Sequence, residues 1–352
     1  MESRQLDDAR RQIEQFFDPT MHDVRLQADL ARLMYATGHR MRSLEMYSEI
    51  EFSHPGNAYP VTQRAILLLN ESFPFRNTRP GVRPGRATLQ MSTLGHNGRF
   101  GNQINQYAFL RICARSQGLS LQTPNWVGRY LFDLRDDPIN EPRPVVRETE
   151  IDGPAALSGI SPAAGKVGRL NEVDVWGYFT LAGVVLRAYK SEFQHIFQPA
   201  PWIRSFTDDI IKGLENRSRT VIAVHVRRGD MVTNPDFWVA PVDWYLTHLT
   251  RIWEESDKPI LYVATDEPSV KHAFKRFGAL VDRDVSDPIP GAEFFTDWFV
   301  LSRAHHLCIS NSTFSFTASM MNMTCVDFFR PSRARGALVR YDPWMAEQLI
   351  EL

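Results

Sequence analysis

Two adjacent arginines, Arg227 and Arg228, follow an apolar run, Val221-Ile222-Ala223-Val224-His225-Val226, and precede Gly229 and Asp230. A guanidinium is planar, permanently charged and forked, so it pairs with a phosphate through two parallel hydrogen bonds. A second segment, Gly95-His96-Asn97-Gly98-Arg99-Phe100-Gly101-Asn102-Gln103, spaces three glycines three apart before an apolar helical pattern. Glycines there allow a tight turn and close backbone approach to a ligand, and the helix start offers free N–H groups to an anion. The spacing differs from the Gly-x-Gly-x-x-Gly dinucleotide fingerprint. A third segment holds four hydroxyls, Ser310, Ser312, Thr313 and Ser315, at the start of another helix. They serve equally as turn and N-cap residues or as a phosphate cradle.

These groups need elements to aim them. The β-branched run before Arg227 reads as a central parallel strand buried on both faces, with the arginines at its carboxyl edge, where open α/β sheets bind ligands. The pattern from residue 200 onward predicts helix 201–216, strand 220–226, helix 242–255, strand 259–264, helix 268–277, strand 279–281, helix 294–304, strand 307–310, helix 313–322 and strand 325–329. That alternation means a parallel sheet covered by helices. Upstream, strands are expected at 88–94, 119–123 and 173–176, a helix at 181–194, and a long loop from Asp136 to Lys166. Residues 1–72 read as helices near 4–17, 24–37, 40–53 and 60–70. Leu30, Ala31, Met34, Tyr35, Gly38, Ser43, Leu44, Tyr47, Ile50, Pro55 and Asn57 fit one tetratricopeptide-like repeat. This segment is expected either to dock a protein partner or self-associate, or only to pad the rest. A Pro/Gly linker at 73–86 separates it from an N-terminal Rossmann-like unit at 87–198 and a C-terminal one at 199–352.

Taken together, the motifs resemble the fucosyltransferase superfamily of α1,2-, α1,6- and protein O-fucosyltransferases, most of all the α1,2 group, glycosyltransferase family 11. Gly98 to Ala108 is similar to its Gly-x-x-Gly-Asn-Gln-x-x-Gln-Tyr-Ala segment, His225 to Asp230 to its His-x-Arg-Arg-x-Asp motif, and Ser310 to Ser315 to its Ser-Asn-Ser-Thr-Phe-Ser segment. Gly177-Tyr178-Phe179 and Tyr262 to Pro268 also match elements of the superfamily. The resemblance runs over about residues 87–330; Met231 departs from it, since the α1,2 enzymes carry an aromatic there.

The resemblance implies a GT-B fold, two Rossmann-like halves with a cleft. It also implies inverting, metal-independent transfer of fucose from GDP-fucose to a glycan or glycoprotein hydroxyl. Arg227 and Arg228 would contact the diphosphate and stabilise the charge that develops there. The donor would further be bound by Asn102, Gln103, His225, Asp230, Tyr245, Asp266, Ser312, Thr313, Phe314 and Ser315, with Gly98 and Gly101 shaping the loop. Asp297 would read the guanine edge. Asp236 is the candidate base that deprotonates the acceptor, ahead of His96 and Asp243. Asp282-Arg283-Asp284 has the look of an Asp-x-Asp metal clamp, but it falls in an acidic, proline-flanked loop and reads as solvated surface. No His/Cys cluster has zinc spacing, and no metal or cofactor beyond the donor is expected.

Composition limits the alternatives. The 352-residue chain carries a net charge of −1, which argues against nucleic acid or a polybasic membrane contact. Its three cysteines, Cys113, Cys308 and Cys325, lie in apolar surroundings and read as reduced core residues. With no signal-like start and no long apolar span, a cytoplasmic protein is expected. Two readings compete with the transferase: the same fold with another nucleotide sugar, and a non-catalytic helical adaptor that binds a nucleotide sugar.

Overall fold

The computed structural model describes residues 2–73, 86–232 and 238–350, and of residues 2–7 and 230 the backbone alone. Four helices come first: α1 (Glu2–Phe16), α2 (Val24–Ala36), α3 (Arg40–Ser53) and α4 (Ala58–Ser72). They close a small core of Ala28, Ala31, Met34, Met46, Tyr47 and Ile50. The small residues at 28 and 31 let α3 approach closely enough for side-chain hydroxyls to reach the α2 backbone. Ser43 Oγ donates to the Ala31 carbonyl at 2.7 Å and Tyr47 to that of Ala28 at 3.0 Å. The linker expected at 73–86 lies, apart from its ends, outside the described residues.

The first half follows as β1 (Thr88–Gln90), α5 (Phe100–Gln117), β2 (Ser120–Gln122), α6 (Val127–Leu131), β3 (Val145–Arg147), α7 (Gly153–Ser158), β4 (Val173–Trp176), α8 (Gly183–Leu186) and α9 (Lys190–Ile196). Its strands form a parallel sheet in the order β2-β1-β4-β3. The expected long loop therefore contains an edge strand and a helix. The expected helix 181–194 is broken by a 3-10 turn at Arg187–Tyr189, and the strand expected over 88–94 stops at Gln90.

The second half is α10 (Arg204–Glu215), β5 (Thr220–Val226), α11 (Val242–Glu255), β6 (Pro259–Thr265), a 3-10 helix at Pro268–Phe277, α12 (Asp282–Val285), α13 (Phe295–Leu301), β7 (His306–Cys308), α14 (Thr313–Met321), β8 (Asp327–Ser332) and β9 (Ala337–Arg340). The order is β6-β5-β7-β8-β9, parallel except for the final β8–β9 hairpin. The strand expected at 279–281 is reduced to one bridge, Leu280 to Tyr262. The two α/β halves behind a helical segment are the architecture expected from the sequence.

One large apolar cluster runs through both halves, from Leu89, Ile104 and Phe109 to Tyr262, Trp298 and Phe316, and takes in Ala65 and Leu69 of α4. The final segment crosses back onto the first half. Asn105 and Gln348 exchange two amide hydrogen bonds, at 2.7 and 3.0 Å, and Gln348 also donates to the Leu181 carbonyl at 2.8 Å. Gly183 is required where this strap lands, since a Cβ there would lie 2.1 Å from the Pro343 carbonyl oxygen.

Candidate active site

β5 is flanked by β6, reached first, and by β7 on its other side, so the chain reverses direction across the sheet at the carboxyl ends of β5 and β7. Such a switch point is where open α/β sheets form a ligand crevice. Arg227 leaves the end of β5 and Ser310 the end of β7.

Both arginines are braced by the residues that follow β6. Arg227 Nη1 lies 2.8 Å from Asp266 Oδ2, while the Arg228 backbone N–H donates to Asp266 Oδ1 at 2.9 Å. Arg228 Nε donates to Glu267 Oε2 at 3.0 Å. The Ser269 hydroxyl, and after it Arg228, hold the Glu267 carboxyl below its usual range. Gly229 lets the chain turn against this pair, because a Cβ would stand 2.3 Å from Asp266 Oδ2. Asp266 is thus a positioning residue for both arginines. The Asp230 side chain and all of Asp236 lie outside the described residues.

His225 is buried one residue before this edge, with Nδ1 at 2.8 Å from Ser310 Oγ and its ring 5.4 Å from that of Phe314. Burial, then the Arg227 charge, pushes its pKa down to about 3, so the imidazole is neutral. Ser312 caps α14 by accepting from the Phe314 N–H at 3.3 Å. Thr313 Oγ1 donates to Asn102 Oδ1 at 2.8 Å, across the two halves.

The glycine loop meets this edge directly. A Cβ on Gly101 would lie 2.3 Å from the Phe314 nitrogen, and Gly98, at φ +83°, would carry a Cβ 2.4 Å from Asn102 Nδ2. Phe100 packs with its ring centroid 4.6 Å from Phe294 and 5.6 Å from Trp298. Asp297 lies between those two in the chain. It accepts from the Tyr262 hydroxyl at 2.5 Å, and burial foremost, with some repulsion from Asp282, raises its pKa to about 7. The three sequence motifs, far apart in the chain, therefore form one continuous strip.

Several expectations change at this level. Tyr245 is buried in α11 with its hydroxyl on the Ile309 carbonyl at 3.2 Å, so it props the hydroxyl loop from behind and cannot face a ligand. Ser315 is fully buried, its hydroxyl turned to the Ser312 carbonyl at 3.4 Å, and is not available to cap a phosphate. Gln103 is buried as well and donates to the Gly95 and Gly98 carbonyls at 3.3 and 3.1 Å, shaping the loop. His96 is held by α4, with Gln63 Nε2 at 3.1 Å from its Nε2 and the Tyr59 ring edge-on at 4.4 Å. Burial lowers its pKa to about 4, a weak base. Asp243 is exposed in the first turn of α11. Asp284 is engaged by Lys271 at 3.1 Å and the Val281 N–H at 2.9 Å. Among the described residues no group of His, Cys, Asp and Glu side chains forms a metal cage.

Sequence reasoning missed Gln106 and Asn97, which donate to the Gly177 carbonyl at 3.0 and 3.3 Å and tie the glycine loop to β4. It also missed Asn311, whose amide group exchanges bonds of 3.2 and 2.7 Å with the Ile350 backbone. All three lay inside motifs already singled out; the role of Asn311 had no signal of its own, because its partner is in the C-terminal strap.

No protein-family model matches the chain, and no curated protein does. Among solved structures, a variant of Arabidopsis thaliana FUT1 in complex with GDP is similar at TM-score 0.50 and 10% identity, over 84% of this chain and 86% of that one. Fucosyltransferase NodZ from Bradyrhizobium is similar at TM-score 0.47 and 12% identity, over 74% and 99%. The fold is a GT-B arrangement, like that of the FUT1 structure. Among the described residues no helix is long and apolar enough to cross a membrane.

Proposed function

We propose that this protein is an inverting glycosyltransferase that moves fucose from GDP-fucose to a hydroxyl of a glycan or glycoprotein, without a metal. The observation that carries the reading is the convergence of Arg227, Arg228, the Ser312–Thr313 cap and the Gly98–Gly101 loop at one switch point. A diphosphate there would meet two guanidinium groups and the first N–H groups of α14, which supplies charge stabilisation as the sugar–phosphate bond breaks. Salt bridging does not disable the arginines. Each guanidinium carries five N–H donors, so Asp266 and Glu267 fix the forks while further donors can serve a phosphate. Asp297, once ionised, can accept two hydrogen bonds from the guanine ring N–H and amino group. The acceptor hydroxyl would attack opposite the leaving GDP, with Asp236 taking its proton. The α1,2 linkage, the tetratricopeptide-like nature of residues 1–72 and a cytoplasmic location remain part of this proposal.

Thermal shift with GDP, UDP and dTDP tests the donor, since only a ligand that binds the native state stabilises it. GDP alone should raise Tm, and GDP-fucose should be consumed in EDTA when acceptor glycans are supplied. Stabilisation by UDP or dTDP but not GDP would overturn the guanine assignment. Turnover that needs Mn²⁺ would return Asp282 and Asp284 to the site.

A further inference from the structure

The Gly177-Tyr178-Phe179 element has no part in the donor strip, yet the fold gives it a distinct surface. Trp176 ends β4 and Tyr178 follows it, and both are exposed, at 38% and 42%. Phe179, by contrast, is buried and stacks on Phe109 at 4.1 Å. Trp176 stands in register with Arg147 at the end of β3, and the Arg147 guanidinium lies 5.2 Å from the indole centroid. The Tyr178 N–H donates to Glu148 Oε2 at 2.7 Å. No described residue engages the second oxygen of that carboxylate. Gly177 is obligatory, since a Cβ would stand 2.4 Å from Glu148 Cβ. Its carbonyl accepts from Asn97 and Gln106, so the surface is fixed to the glycine loop beside the donor strip.

Two exposed aromatic rings cost solvation, and their apolar faces call for a partner that is flat and apolar on one side. An uncommitted carboxylate oxygen, and a guanidinium over one face of the indole, call for hydroxyl groups. A pyranose satisfies both: its C–H face covers an aromatic ring while its equatorial hydroxyls reach Glu148 and Arg147. The neighbouring charges are opposite in sign, which disfavours a strongly charged ligand of either kind. We infer that Trp176, Tyr178, Glu148 and Arg147 form a saccharide subsite that holds a neutral hexose of the acceptor. Naming that saccharide the acceptor rests on the transferase reading; the binding of a sugar here does not.

The test is calorimetric titration of the full chain with lactose, cellobiose and N,N′-diacetylchitobiose, with GDP titrated separately. At least one disaccharide should bind, with a Kd of about 1 mM, the range of a small ligand on an open surface. Trp176→Ala should weaken it by about tenfold, the upper range for a lost aromatic contact, and Trp176→Phe should keep most of it. Glu148→Gln should also weaken it, and GDP affinity should stay at the wild-type value in every variant. Tyr178→Ala, at the more exposed position, supplies a second reading should the Trp176 change disturb β4. The inference is overturned if none of the three sugars binds, or if binding persists unchanged in both Trp176→Ala and Tyr178→Ala. Binding of an apolar dye at this face without any sugar binding marks a plain apolar patch and overturns it too. Loss of GDP binding in the wild type would sink the transferase reading while leaving this test intact.

Discussion

The two sheets end in chemically different carboxyl edges. Beyond β5 and β6 the edge is ionic: Arg227 on Asp266 at 2.8 Å and Arg228 on Glu267 at 3.0 Å. Beyond β1 and β4 it is built largely from amides, glycines and aromatics: Gln103 on Gly95 and Gly98, and Gln106 and Asn97 on Gly177. A buried carboxylate of β4, Asp174, accepts from the Ser92 N–H at 2.9 Å and the Gln90 amide at 3.4 Å. An edge with braced guanidinium groups suits an anionic ligand whose charge grows during reaction. An edge of neutral amides suits a hydroxyl-rich partner, because a charge brought there would lose hydration without compensation. On the proposed function, the diphosphate belongs to the first side and the sugar acceptor to the second.

The largest effect should come from the ionic edge. Arg227→Ala and Arg228→Ala should each weaken GDP binding and reduce turnover by roughly two orders of magnitude, the scale for one preorganised stabiliser. Lysine should rescue little, since an ammonium cannot make the two-pronged contact. Arg227→Ala leaves Asp266 without its ion-pair partner, so circular dichroism and Tm must accompany the kinetics. Near-normal GDP affinity in two folded variants would erase the contrast between the edges.

Next is the seam where the edges meet. Gly101→Ala places a methyl group within 2.3 Å of the Phe314 nitrogen, against backbone that cannot move without parting the halves. A loss of stability of about 1–3 kcal/mol is expected, the range for overpacking, together with weaker GDP binding. Wild-type Tm and GDP affinity in Gly101→Ala would mean that the halves do not meet here as described.

Asp297 gives a smaller and pH-dependent effect. Its folded pKa is raised to about 7, chiefly by burial, so the protonated form is the one the fold favours. Its contribution to stability is therefore complete below the unfolded carboxyl range and is lost as pH rises through about 7. GDP binding runs the opposite way, because only the carboxylate accepts from guanine: affinity should rise between pH 6 and 8. Asp297→Asn should flatten both dependences, raising Tm most on the alkaline side while weakening GDP. A pH-independent GDP affinity in the wild type would remove Asp297 from guanine recognition.

The periodic parts of the fold were legible in the sequence. β5, β4 and α11 occupy the expected residues because an apolar run or a 3.6-residue stripe decides them locally. The three motifs were legible as residue types at fixed spacing, and the fold brings them into one strip. Side-chain direction was not. Ser315 and Tyr245 belong to the expected motifs but turn inward, since position three of α14 and the inner face of α11 are set by tertiary packing. The C-terminal strap was also hidden, because Asn105 and Gln348 are 243 residues apart and neither has a local pattern. The close approach of Gly183 to Pro343 was hidden for the same reason.

α4 carries the last and smallest prediction. The sequence places it with the N-terminal helices, and Tyr59 and Leu67 do pack on their core. Its opposite face packs on the two α/β halves: Ala65 and Leu69 join the large cluster, Thr62 Oγ1 donates to the Gly95 carbonyl, and a Cβ on Gly291 would lie 2.6 Å from the Ala65 carbonyl oxygen. This helix therefore touches the neutral edge through Gly95 and His96 and the second half through Gly291. Removing residues 1–57 should leave α4 docked, with GDP affinity close to that of the full chain and only a modest fall in Tm. Removing residues 1–72 should take Ala65 and Leu69 out of the large cluster, uncover the apolar face they pack on, free the glycine loop and cause aggregation on heating. A monomeric 73–352 chain with full GDP affinity would show that the helices merely cover the site, and that the neutral edge is held by the Gln103 and Gln106 bonds alone.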